Sequence, residues 1–147
     1  MSGIICAIRG GPHSQPTIRR AINLAKETSL PLQFLYVVNL EFLSRTTSTR
    51  VHVIQEEMQQ MGEFILLAAQ STASAEGVQA DGLVRHGKVR DEVIRACHEM
   101  GADFLVLGRP RVEREDTLFT DELLAQFVER TEAETGAKVV LSEEESP

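Results

Sequence analysis

Cysteine, positive charge and long apolar runs are all scarce in this 147-residue chain, and each scarcity closes off a class of function. Two cysteines, Cys6 and Cys97, make neither a disulfide framework nor a zinc site. Fifteen Lys and Arg stand against 22 Asp and Glu, a formal net charge of −7. Binding to a phosphate backbone draws its affinity from clustered cations, so nucleic acid is not an expected partner. Apolar runs such as Phe34 to Val38 and Phe104 to Leu107 fall far short of the roughly 20 residues of a membrane span. Met1-Ser2-Gly3 leads straight into a strand-like run with no basic-then-apolar leader, so a cytoplasmic location is expected. Tryptophan is absent and Tyr36 is the one tyrosine; Tyr36 and Phe34 read as core residues of a strand rather than as platforms for bases. What remains is ordinary for a globular protein, 42% hydrophobic and 25% charged. A chain of this length buries roughly 68–70% of its unfolded surface and needs no cross-link or metal to fold.

Short apolar runs alternate with longer helical stretches. Gly3 to Ile8 is a continuous apolar run ended by Arg9-Gly10-Gly11-Pro12, which is strand then breaker. Ser14 offers an N-cap and Pro16 lies in the first turn of a helix running to about Thr28. Leu30-Pro31 breaks it, and Leu32 to Val38 is a second buried strand. Ser44 to Arg50 reads as a polar connection or a lid. The longest helix is expected from about Val51 to Ala75, with a stripe at Val51, Ile54, Met58, Met61, Ile65 and Ala68. A weaker strand, Val78 to Arg85, precedes a helix over Val89 to Met100 that Gly101 terminates. Phe104 to Leu107 is the fourth strand, Thr120 to Thr135 the fourth helix, and Lys138 to Leu141 a short fifth strand. This alternation is that of a parallel α/β sheet covered on both faces. It forms one domain over residues 1–142 with an acidic tail at 143–147.

The run Val84-Arg85-His86-Gly87, through Glu92-Val93-Ile94, to Gly101-Ala102-Asp103-Phe104-Leu105-Val106-Leu107-Gly108 resembles the signature of the universal stress protein family. Leu35-Tyr36-Val37-Val38 is similar to that family's second strand. The resemblance implies a Rossmann-like sheet of the adenine nucleotide alpha hydrolase type, in order 3-2-1-4-5. It also implies a nucleotide crevice beside strands 1 and 4, and homodimers paired through strand 5. ATP-binding members end the first strand in Asp, where this chain has Arg9. They follow strand 4 with Gly-x2-Gly-x9-Gly-Ser/Thr; Gly108 keeps the first glycine, but Arg111 stands at the second and no Gly-Ser or Gly-Thr follows.

A phosphate cradle needs glycines so that backbone N–H groups can approach the anion. Here Pro110 removes one donor, and Asp121-Glu122 at the next helix start repel a triphosphate. Standard ATP binding is therefore not expected, and no cofactor is; ATP or AMP held differently is the alternative. The candidate ligand crevice comprises Arg9, Gly10, Gly11, Val38, Gly108, Arg109 and Arg111, with His13 and Ser14 nearby. A small anion would suit its three arginines, unless Glu113, Glu115 and Asp116 pair with them in the same loop.

Other constellations read more simply as structure. Cys97-His98 are helix neighbours pointing about 100° apart, not a nucleophile and base. His13, His52, His86 and His98 lack metal-ligand spacing. No nucleophile, base and orienting group can be assembled, so a non-catalytic, stress-associated regulatory module is expected, with a slow ATPase or nucleotide binder as the alternative. Val139-Val140-Leu141, at an expected sheet edge, is the candidate dimer edge, and a protein partner is a further possibility.

Overall fold

The computed structural model describes residues 3–9, 14–39, 48–108 and 121–142, the side chains of 48, 49 and 121 excepted. In chain order they form β1 (Ile4–Ala7), α1 (Gln15–Thr28), β2 (Leu32–Val38), α2 (Ser48–Ala75), β3 (Ala80–His86), α3 (Val89–Met100), β4 (Phe104–Gly108), α4 (Asp121–Thr135) and β5 (Lys138–Ser142). All the strands pair in parallel in the order β3-β2-β1-β4-β5. Strand alternation divides the core into two layers. Ile4, Cys6 and Phe34 pack with α1 and α2, while Ile5, Leu35 and Leu105 pack with α3 and α4. Both faces of the sheet are covered, which is why the central strands β1 and β4 carry no polar side chain, whereas the edge strand β3 carries Asp81, Arg85 and His86.

Element boundaries follow local chemistry. α1 ends at Ser29, a left-handed residue (φ 58°) whose N–H donates to the Ala25 carbonyl, so it closes before Leu30-Pro31 is reached. Ser14 occupies the N-cap position but makes no side-chain capping bond to α1. Gly101 (φ 65°) ends α3, and the Ala102 N–H donates to the Cys97 carbonyl. β3 starts two residues later than its apolar pattern suggests, because the Val78 N–H is spent on the Ala73 carbonyl in closing α2. α2 starts three residues earlier, at Ser48. Part of the expected polar connection is thus helix, and residues 44–47 lie outside those described.

The stripe expected on α2 is also rotated. Leu66, Ala69 and Ala73 are buried against the sheet, while Met61, from the expected stripe, is exposed and Ala68 lies on the solvent side too. Residues 61–69 are apolar nearly all round, so periodicity could not choose a face. Size chose instead. Small residues let the helix approach the sheet, and a Cβ on Gly62 would lie 2.6 Å from Cδ2 of Tyr36.

Gly62→Ala therefore sets two effects against each other. Helix propensity favours alanine by about 0.8–1 kcal/mol, and forcing the Tyr36 ring aside costs about 1–3 kcal/mol. The expected result is a net loss near 1 kcal/mol in denaturant unfolding, recovered when Tyr36→Leu is added.

Candidate functional site

The strand order reverses direction between β1 and β4, and in open α/β sheets ligands bind beyond the carboxyl ends at such a point. Two register relations set the level of this mouth. Ala7 pairs with Leu35 of β2, and Cys6 pairs with Val106 of β4. Carried forward, they bring Arg9, Val38 and Gly108 out within one or two residues of a common level. Arg9 is exposed, and Val38 is fully buried. The Val38 carbonyl accepts the Gly87 N–H at 3.0 Å, tying the end of β2 to the β3–α3 turn. Of the other expected crevice residues, Gly10, Gly11, Arg109 and Arg111 lie outside the described residues, as does His13.

Gly108 closes β4 against the first turns of α1. A Cβ there would lie 2.7 Å from Oγ1 of Thr17. Thr17 Oγ1 and Ser142 Oγ are 2.8 Å apart in a buried hydroxyl pair that links α1 to the end of β5. Sequence reasoning missed this pair. Thr17 sat inside an apolar helix stripe and Ser142 lay just past the expected strand, so only a polar residue on a core face hinted at it.

Gly87, with φ +143°, forms the turn between β3 and α3. A Cβ on it would lie 3.1 Å from the Glu92 side chain. Glu92 is nearly buried, and both its oxygens are engaged: Arg85 Nε donates to Oε1 at 2.9 Å and Arg95 Nη1 to Oε2 at 2.9 Å. Arg85 Nη1 also donates to Glu99 at 2.7 Å. That bond, with the guanidinium's charge, holds the exposed Glu99 carboxyl below the usual carboxylate range. The carboxylates at the start of α3 therefore do structural work: Glu92 locks β3 to α3, and Asp91 meets Arg130 of α4 at 3.5 Å.

Neither cysteine is poised for chemistry. Burial pushes the Cys97 thiol up to about 12 and the Cys6 thiol higher still, so neither supplies a thiolate near neutral pH. Among the described residues, no group of three His, Cys, Asp or Glu side chains is placed to hold a metal ion. Nor is any helix long and apolar enough to cross a membrane. On the β5 edge, Val139, Val140 and Leu141 are half-buried. Glu132 Oε2 of α4 accepts the Val139 N–H at 3.0 Å.

The hydroxyl pair gives a test of how the mouth is held. Thr17→Val is expected to strand the Ser142 hydroxyl and cost about 1–3 kcal/mol. Adding Ser142→Ala should return part of that loss, which a double-mutant cycle in denaturant measures. Strict additivity would show that the two hydroxyls do not interact.

Comparisons with known proteins agree with this geometry. The family model described as "Universal stress protein family" matches residues 1–124. The universal stress protein YxiE of Bacillus subtilis (strain 168) is 28% identical over 113 residues, spanning 71% of this chain and 76% of that protein. A solved universal stress protein in complex with cAMP superposes with a TM-score of 0.71 at 17% identity, covering 98% of each chain. A family protein from Arabidopsis thaliana with AMP bound superposes at 0.61 with 13% identity, over 99% of this chain and 94% of that one. Likeness at such low identity speaks for the fold; the match of the family model over most of the sequence speaks for descent. The chain belongs to the universal stress protein family.

Proposed function

We propose that this chain is a non-catalytic binding and regulatory module whose crevice does not hold a triphosphate in the manner of ATP-binding members. The observation that carries this reading is the sequence that follows Gly108, Arg109-Pro110-Arg111-Val112-Glu113-Arg114-Glu115-Asp116. It offers no further glycine for a main-chain nest, and Pro110 has no N–H to give. The exposed Arg9 at the end of β1 adds a cation where those members place an acid.

A second reading is favoured by what the mouth retains. Val38 and Gly108 stand at the carboxyl ends of β2 and β4, and two relatives of the same fold carry AMP or cAMP. In this reading an adenine nucleotide with one phosphate occupies the crevice, and Arg9, Gly10, Gly11, Arg109 and Arg111 supply its surroundings in place of the glycine nest.

Thermal unfolding with ATP, ADP, AMP and cAMP distinguishes the two. A ligand at 100 times its dissociation constant stabilises by about 2.7 kcal/mol, or roughly 5–10 °C in Tm for a domain of this size. No shift with any of the four supports the first reading. A shift with AMP or cAMP that Arg9→Ala reduces supports the second, and a shift largest with ATP overturns the first.

The proposed assembly is a homodimer through the β5 edge at Val139, Val140 and Leu141. An edge strand invites pairing, although Glu132 already holds one donor of that edge, so the contact relies on its side chains more than on a continued ladder. Light scattering is expected to give about twice the 16.3 kDa chain mass. A monomer mass independent of concentration would remove the dimer.

A further inference from the structure

Buried and exposed apolar residues occupy opposite sides of α2, and the outer set has no partner among the described residues. Val53, Met61, Phe64 and Leu67 are 53, 58, 73 and 63% exposed. At 100° per residue they lie within one outward strip, and residues 53 to 67 span about 21 Å of helix. Isolated exposed apolar side chains need no explanation, but Met61, Phe64 and Leu67 adjoin at three-residue steps, with Val53 two turns further back on the same side, and such a patch along one helix marks a contact surface.

Charge decides what fits there. Glu57 lies on the strip itself, and Glu56 and Glu63 line one flank; all three are exposed. Arg50 is the one Lys or Arg of this helix. Beyond Leu67 the strip runs into an open cavity of about 800 Å³ at the amino ends of β2 and β3, lined by Leu30, Pro31, Leu67, Gln70 and Asp81 among others. Asp81 extends the acidic border onto the sheet edge.

A second copy of this chain is a poor occupant. In an antiparallel two-fold pairing of α2 with its copy, the same flank meets itself, so Glu56 and Glu63 would face Glu63 and Glu56. In a parallel pairing Glu57 would face Glu57. Like charges brought together across an apolar seam oppose both arrangements. An anionic lipid surface meets the same repulsion.

We propose that the outer face of α2 docks an amphipathic, cationic helix of a partner protein, with Phe64 and Leu67 as apolar anchors and Glu57 and Glu63 as the charge partners. The binding mode is a helix laid along an apolar strip, read at three- and four-residue spacing. Large apolar anchors supply affinity, and the acidic border supplies orientation and encounter rate. This surface is built by α2 and the amino ends of β2 and β3, so the proposal does not rest on what occupies the crevice at the carboxyl ends.

The test uses the full chain and a fluorescein-labelled, 18-residue Leu/Lys peptide of helical periodicity, with a Leu/Glu peptide of the same pattern for comparison. Fluorescence anisotropy is expected to show binding of the Leu/Lys peptide that weakens as salt rises. The double variant Phe64→Ser, Leu67→Ser should weaken it at least tenfold while leaving Tm within a few degrees, since both side chains face solvent. The double variant Glu57→Lys, Glu63→Lys should weaken it about tenfold and flatten its salt dependence. NMR shift changes in the complex should concentrate on α2.

Equal affinity for the serine variant would reveal attraction to the net charge alone and overturn the proposal. So would equal binding of the Leu/Glu peptide. A solution mass that falls in the serine variant would assign the strip to a second copy, and binding to phosphatidylglycerol vesicles lost in that variant would assign it to lipid; either result overturns the proposal.

Discussion

Every layer of this molecule is hung on β1, a strand of four residues, three of them fully buried. It is hydrogen-bonded to β2 on one side and β4 on the other, and its side chains enter both helix layers. Its start is fixed by Asp103. The Gly3 N–H donates to Asp103 Oδ2 at 3.0 Å, and the Asp103 N–H returns a bond to the Gly3 carbonyl at 2.8 Å. The Lys138 N–H donates to the Asp103 carbonyl at 2.8 Å. One residue thereby sets β1, β4 and β5 to a common origin. The Gly-Ala-Asp part of the signature thus acts at the amino ends of the strands, away from the proposed crevice, and sets the level at which the carboxyl ends emerge.

Close approach is the second requirement, and small residues meet it in different ways. Gly62 admits the Tyr36 ring, and Gly82 lies where a Cβ would be 2.8 Å from Oε1 of Gln70. At the mouth, Gly108 leaves room for the Thr17 and Ser142 hydroxyls to satisfy each other. A buried hydroxyl without a partner costs about 1–3 kcal/mol, so pairing two of them where three elements meet adds specificity at little energetic cost. The helix–sheet spacing follows from these contacts rather than from the apolar stripes alone.

This division explains what was legible beforehand. Strand identity, sheet order and the ends of α3 were readable because continuous apolar runs, the resemblance and Gly101 each point one way. The start of β3 was not, because Val78 looks like a strand residue while its N–H serves the end of α2. The facing of α2 was hidden by apolar residues on both sides, which became distinguishable only when Leu66 and Ala73 met the sheet and Phe64 did not. That Arg9, Val38 and Gly108 lie near one level at the carboxyl ends of β1, β2 and β4 was legible from the strand ends, whereas Thr17 with Ser142 joins residues 125 positions apart, which no local pattern records.

The net charge of −7 describes neither of the two proposed binding surfaces. At physiological salt the screening length is about 8 Å, so a ligand responds to charges within a turn or two of helix and not to the molecule's sum. The proposed mouth draws its arginines from positions 9, 109 and 111, and the outer strip of α2 draws Glu57 and Glu63. An anion suited to the first is repelled by the second, and a cationic helix suited to the second is repelled by the first. Selectivity between the surfaces therefore needs no conformational change. Any communication between them has to pass through packed contacts, and α2 offers a short route: Gly62 and Leu66 on its inner face touch β2 and β3 through Tyr36 and Gly82, and β2 ends at Val38, at the carboxyl end of the sheet where the proposed crevice opens.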